Sequence, residues 1–263
     1  MPRAMILSGA GRYADPWHPF PATSERLAEL VREAGYDVEV REDIDAALAA
    51  LGDDVDLLVV NAGNPDGPVD DGEVAEYADA IDGDGPPVID SAPLQAAIDR
   101  GIGILALHAA ASSLPDYPAY HHAIGGRWVP GESWHPEFGE AHVHLVGDHP
   151  VRAGLLDFDV QDERYTALRL HDVIEPIAEH LEDGIRHPLI WGREFGPSRL
   201  VYDGLGHDTR SYDSTTHREL ITQAIGWLDR RPERRLGRGA GAAGPEAAGP
   251  GAARREAAGP DAS

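Results

Sequence analysis

The chain has no cysteine in its 263 residues. That one absence excludes disulfides, thiolate-held zinc and a cysteine nucleophile. Lysine is missing too, so all 22 cationic side chains are arginine. Lysine Schiff bases and the phosphate-binding lysine of a P-loop are therefore excluded. No apolar run approaches the ~18 residues that would suggest a membrane span. The few apolar residues of the opening MPRAMILSGAGR are too short for a signal-peptide core. A cytoplasmic protein is expected.

Acidic side chains are abundant. There are 46 of them, the net charge is −24, and residues 1–229 hold 42 acids against 15 arginines. A body this negative repels phosphate backbones and anionic lipid, so neither nucleic acid nor membrane is expected as a partner. Otherwise the charge reads as a solvated surface and carries no information about substrate. A hydrophobic content of 42% is ordinary for a domain with a sizeable core.

Along the chain, AMILSG (4–9) has the pattern of a buried parallel strand. After the loop GRYADPWHPF, Thr23 or Ser24 is expected to cap a helix running to about Gly35, with Leu27, Leu30, Val31 and Ala34 on one face. A strand over 37–41, a short helix over 44–51 and an apolar strand over 55–61 follow. Residues 63–90 are acidic and rich in Gly and Pro, and read as a surface insertion with a helix near 73–81. A helix over 92–100, stopped by Gly101, leads to a third buried strand at 102–108 and a helix beginning at Ala109. This alternation predicts an α/β fold with a doubly wound, mostly parallel sheet. Beyond Trp128, runs at 141–146, 173–178, 188–194 and 199–203 suggest antiparallel additions, and 215–228 an amphipathic closing helix. Three AAGP repeats and arginine pairs mark 232–263 as a disordered tail after a domain spanning 1–231.

His108 falls at the end of the third buried strand, on a strand-to-helix turn where ligands bind in open α/β sheets. Around it stand GILALHAA (103–110), IGGRW (124–128) followed by His135-Pro136, DHPVRAGLLDFDVQDERY (148–165) and PLIWGREFGPSRLVYDGLGHD (188–208), and the final helix ends in IGWL. In order and spacing, these segments resemble the ThuA-like (trehalose utilisation) family over roughly residues 100–229, and more weakly from the first strand onward. The resemblance implies a flavodoxin-like, class I glutamine-amidotransferase-like scaffold. In amidotransferases the elbow carries cysteine. Here it reads Leu107-His108-Ala109-Ala110, so cysteine-based glutamine hydrolysis is not expected.

Thirteen histidines without cysteine invite a metal hypothesis, because imidazole is the usual nitrogen ligand. His121, His122, His180 and His187 read as surface residues, and His149 as a structural hydrogen-bonding group. His142 and His144 alternate on a strand and share a face; either a metal or a solvated edge strand explains them. His108 and His207 sit at strand ends, and the glycines around His207 allow a sharp turn. The resemblance adds His135 and places Glu163 over the same mouth, with Tyr165 available for a sugar hydroxyl.

The expected catalytic set is thus His108, Glu163 and His207, acting as acid/base groups or, with His135, around a divalent zinc-like ion. Trp17, His18, Tyr165 and Asp208 are the expected substrate contacts, since an indole face stacks on sugar rings. Gly9 and Gly11 lack the full GxGxxG spacing, so no nucleotide cofactor is expected. By the resemblance, the ligand is a small sugar such as a disaccharide or its keto derivative. Three rivals are a non-catalytic sugar-binding module, a scaffold subunit whose acidic face binds a partner, and a glutamine-amidotransferase or peptidase relative with a replaced nucleophile. Ser112 and Ser113, one turn into the helix, are not expected at the strained apex. Apolar edge strands also allow a homo-oligomer.

Overall fold

The computed structural model describes residues 1–63 and 89–229. The helix expected near 73–81, inside the insertion at 63–90, and the tail at 232–263 lie outside these residues.

Eleven strands and five helices are described. The strands are β1 (Arg3–Ser8), β2 (Asp37–Arg41), β3 (Val55–Asn61), β4 (Gly103–Leu107), β5 (Gly126–Arg127), β6 (Gly139–Leu145), β7 (Phe158–Asp162), β8 (Arg169–Leu170), β9 (Glu175–Glu182), β10 (Ile185–Phe195) and β11 (Ser198–Asp203). The helices are α1 (Phe20–Glu33), α2 (Ile44–Ala49), α3 (Ala92–Arg100), α4 (Pro118–Ile124) and α5 (Thr215–Leu228). Nine strands form one sheet in the order β2-β1-β3-β4-β11-β10-β9-β6-β7, and β5 pairs with β8. The first five are parallel, and their order, counting β11 as the fifth, is the doubly wound flavodoxin-like one.

The inner parallel strands β1, β3, β4 and β11 are apolar on both faces because helices cover both. Ile6, Val59, Leu105 and Val201 pack with α1 and α5 on one side. Their neighbours Leu7, Val60, Ile104 and Tyr202 pack with α2, α3 and α4 on the other. Alternate side chains of a strand point to opposite faces, so a continuous apolar run is what a two-sided core requires.

Four expectations are corrected. Helix α1 starts at Phe20, ahead of Thr23 and Ser24, which are buried inside it. Their hydroxyls accept from Asn61 Nδ2 at 2.8 and 2.9 Å, tying the helix to the end of β3. The helix expected from Ala109 is a single 3-10 turn, His108–Ala111. The run at 199–203 is parallel to β4, not an antiparallel addition. Finally, β7 was not anticipated: its FDVQD pattern is short, with alternate residues buried. Among the described residues, no helix is long and apolar enough to cross a membrane.

Candidate metal centre

Four strand ends converge. β1, β4 and β11 run in the same direction. Four successive antiparallel pairings, β11 to β10 to β9 to β6 to β7, return β7 to that direction too. The segments leaving these strands carry His18, His108, Glu163 and His207. Each offers one ligand atom, and these atoms all lie within 4.8 Å of one another.

His108 occupies the elbow with φ 44°, the left-handed region that costs a side chain ~1–2 kcal/mol. Two hydrogen bonds hold it there. The Tyr202 hydroxyl donates to the His108 carbonyl at 3.0 Å, and His108 Nδ1 lies 2.8 Å from the Gly204 carbonyl. A carbonyl only accepts, so Nδ1 carries a proton, and in the neutral imidazole the lone pair lies on Nε2. That Nε2 is buried without a hydrogen-bond partner and faces Glu163 Oε2 at 3.4 Å. A Cβ on Gly204 would lie 2.7 Å from the Leu189 carbonyl, so the close approach at this turn needs glycine.

His18 is held in the same way by a different partner. Its Nδ1 sits 2.6 and 2.7 Å from the Asp15 carboxylate oxygens. Asp15 Oδ1 also accepts from the backbone N–H of Trp17 and of His18, closing a local turn. Burial pushes the His18 imidazole below its usual range, against the opposing pull of Asp15. His207 Nδ1 lies 3.2 Å from the same Oε2 that His108 faces and is likewise buried without a hydrogen-bond partner. Burial works to raise the Glu163 carboxyl, but His108 and His207 outweigh it and hold it well below the ordinary range. For His207, burial works to lower the imidazole and Glu163 raises it, with a net rise.

Asp162 secures the two loops. Its buried carboxylate accepts from the backbone N–H of Glu163 and Gly206 at 2.8 Å and of His207 at 3.1 Å. Burial pushes this carboxyl up. Gly206, at φ 111°, adopts a turn open to glycine alone. Beneath it, Asp203 accepts from Leu205 N–H and lies 2.8 Å from His217 Nε2, both side chains fully buried.

The anticipated residues divide. His108, Glu163 and His207 meet. His18, expected to touch substrate, stands among the donors, whereas His135 is exposed at the rim with Nδ1 3.6 Å from Glu163 Oε1 and outside the four-donor set. Tyr165 is buried with its ring 4.0 Å from that of His108, and burial holds its phenol well above the usual range, hence neutral. Trp17 is 48% exposed. Asp208 caps the 3-10 turn Thr209–Asp213 through Arg210 N–H and pairs with the Arg210 guanidinium, so its carboxylate is committed there. Ser112 donates to the Ala109 carbonyl, and neither it nor Ser113 stands at the elbow.

His149 is the structural group expected, accepting from Val151 N–H. His180 is not a surface residue. It is fully buried and bonds the Tyr165 carbonyl through Nε2 at 3.1 Å. Sequence reasoning overlooked Asp15, Asp162 and the His217–Asp203 pair. The Asp-x-x-His spacing of residues 15–18 was the available signal for the first.

The family model for ThuA, trehalose utilisation, matches residues 3–228. The chain belongs to the ThuA family. Two ThuA-like crystal structures share the fold. One, from Parabacteroides merdae, superposes with a TM-score of 0.67 at 17% identity, covering 86% of this chain and 89% of the other. The second, from Bacteroides uniformis, gives 0.63 at 16% identity, with 87% and 91% covered. A β-galactosidase from Rahnella sp. R3 contains a similar fold within 31% of its length, covering 86% of this chain with a TM-score of 0.54 at 15% identity. No curated protein shows significant similarity.

Proposed function

We propose that this ThuA-family protein is a metal-dependent enzyme acting on a small sugar, a disaccharide or its keto derivative, at the mouth formed by His18, His108, Glu163 and His207. One observation carries the reading: three imidazoles and a carboxylate from four separate strand ends bring their donor atoms within 4.8 Å. Support comes from the outer contacts. Asp15 and the Gly204 carbonyl each occupy Nδ1 of a histidine, the arrangement that fixes tautomer and ring orientation in metal-binding imidazoles. His108 Nε2 and His207 Nδ1 are buried without hydrogen-bond partners, and in the neutral imidazoles a cation would satisfy their lone pairs.

The donor set suits a first-row divalent ion. Four protein ligands close a tetrahedral shell, so an ion working here needs a fifth or sixth position for a sugar oxygen or water. Such an ion polarises a carbonyl or lowers the pKa of a bound hydroxyl. His135, exposed beside Glu163, is placed to move a proton at the rim. Trp128, 6.0 Å from His135 and 4.6 Å from Tyr165 between ring centres, offers an aromatic wall for the sugar. The acidic body favours a neutral ligand over a phosphorylated one.

The test uses untagged protein. Elemental analysis should find about one equivalent of metal that His108→Asn abolishes; asparagine tolerates the left-handed elbow, so the fold should survive. Chelated and reloaded samples are then offered trehalose and keto-disaccharides, with products followed by NMR. Turnover undiminished in metal-free protein would remove the metal from the reading, and ligand binding without turnover would reassign the protein as a sugar-binding module.

A further inference from the structure

We propose a second metal site on the outer face of the antiparallel half-sheet, formed by His142, His144 and Asp157. The site takes a divalent transition ion such as zinc or nickel and staples the terminal strand pair β6–β7.

The placement follows from the strand. Ala141, Val143 and Leu145 point into the core, so His142 and His144, two residues apart, share the opposite face of β6. Their rings lie 4.6 Å apart. On the neighbouring strand Asp159 stands in register with His142, its Oδ1 2.6 Å from His142 Nδ1. Asp157 precedes β7. Its Oδ1 accepts from Leu145 N–H at 2.8 Å, which fixes Oδ2 3.1 Å from His144 Nδ1. Donor atoms of His142, His144 and Asp157 all fall within 4.8 Å of one another.

Among the described residues, the one other acid in register beside these histidines, Glu179 opposite His144, is engaged by Arg186 at 3.6 Å.

Two imidazoles and a carboxylate suit zinc, nickel or copper better than magnesium or calcium, which prefer all-oxygen shells. Ligands about 2.0–2.2 Å from one ion must close in by roughly an ångström from their present spread. The side chains are free to do so, because His142 is 53% and His144 29% exposed. An ion here has a structural consequence. Among the described residues β7 pairs with β6 alone, and its far end supplies Asp162 and leads directly into Glu163. A bridge from β6 to the residue just ahead of β7 pins the strand that carries the central carboxylates. The site shares no residue with the central four and is tested independently of them.

The experiment titrates the full, untagged, chelator-treated chain with Ni²⁺ by calorimetry and repeats the thermal melt with and without the ion. The wild type, the His142→Ala/His144→Ala pair and His108→Asn are compared. Both histidines lie on the solvent-facing side of β6 and should be replaceable at little cost to the metal-free melt, since surface substitutions fall within about 0.5 kcal/mol. We expect the double variant to lose one equivalent of Ni²⁺, or to bind it at least tenfold more weakly, and to lose part of the Ni²⁺-induced rise in melting temperature. His108→Asn should keep that equivalent. Unchanged stoichiometry, affinity and Ni²⁺ shift in the double variant would overturn the site. If the wild type binds a single equivalent, its loss in the double variant supports this site and counts against the central one. Its loss in His108→Asn alone does the reverse.

Discussion

At the residue scale, the central cluster depends on side chains that never reach the mouth. Asp15 orients His18 through two short contacts to Nδ1, and it opposes the effect of burial on that imidazole. Asparagine in its place is nearly isosteric and keeps one acceptor, but it removes the negative charge that makes Nε2 a strong donor. Removing such a partner typically costs 10–100-fold in metal affinity. We therefore expect Asp15→Asn to weaken metal binding by about that factor while leaving the melting temperature of the metal-free protein nearly unchanged. Competition against a chromophoric chelator measures the first quantity and a melt in EDTA the second. Equal affinity in the two proteins would show that Asp15 serves only to shape its loop.

At the element scale, legibility followed the length and uniformity of the apolar pattern. The sequence reading placed β3, α3 and α5 at their observed bounds, because a continuous apolar run or a long helical stripe leaves few alternatives. It also found His108 and His207, since strand ends are where open α/β sheets gather their chemistry. It ended β9 at Ala178, however, whereas the strand continues to Glu182 and carries His180 inward on the same face. No local pattern announces that extension, because the burial comes from residues distant in sequence. The same cause hid Asp162, whose role exists only once β7 reaches the Gly206–His207 turn.

The buried position of His180 has a measurable consequence. Desolvation pushes this imidazole down to about 4 from an ordinary 6.5. The folded state therefore holds it neutral at pH values where the unfolded chain protonates it. Its contribution is complete above pH 6.5 and is lost as pH falls toward the folded value, a span worth up to about 3 kcal/mol. His180→Gln keeps an N–H for the Tyr165 carbonyl and does not titrate. Between pH 6.5 and 4.5 its melting temperature should fall less steeply than that of the wild type. Parallel curves for the two proteins would show that His180 does not contribute to acid sensitivity.

At the scale of the whole molecule, the charge imbalance sets the conditions under which the fold and its sites operate. Within residues 1–229, 42 acids face 15 arginines, and many of those arginines already sit in pairs such as Arg12 with Asp45 and Arg164 with Glu182. The remaining carboxylates repel one another across the surface. This destabilises the compact state and raises the local concentration of cations around it. Raising salt from 0.1 M to 1 M shortens the screening length from about 10 Å to 3 Å, which relieves long-range repulsion more than it weakens contacts at hydrogen-bond distance. For a domain of this size, relief of about 1–2 kcal/mol raises the melting temperature by about 3–6 °C. We expect that rise in potassium chloride with EDTA present, chloride being chosen because sulfate would add an exclusion effect of its own. A melting temperature that stays flat or falls with added salt would mean that the surface pairs contribute more to stability than the net repulsion takes away. The acidic surface would then have to be understood through its local ion pairs and not through its overall field.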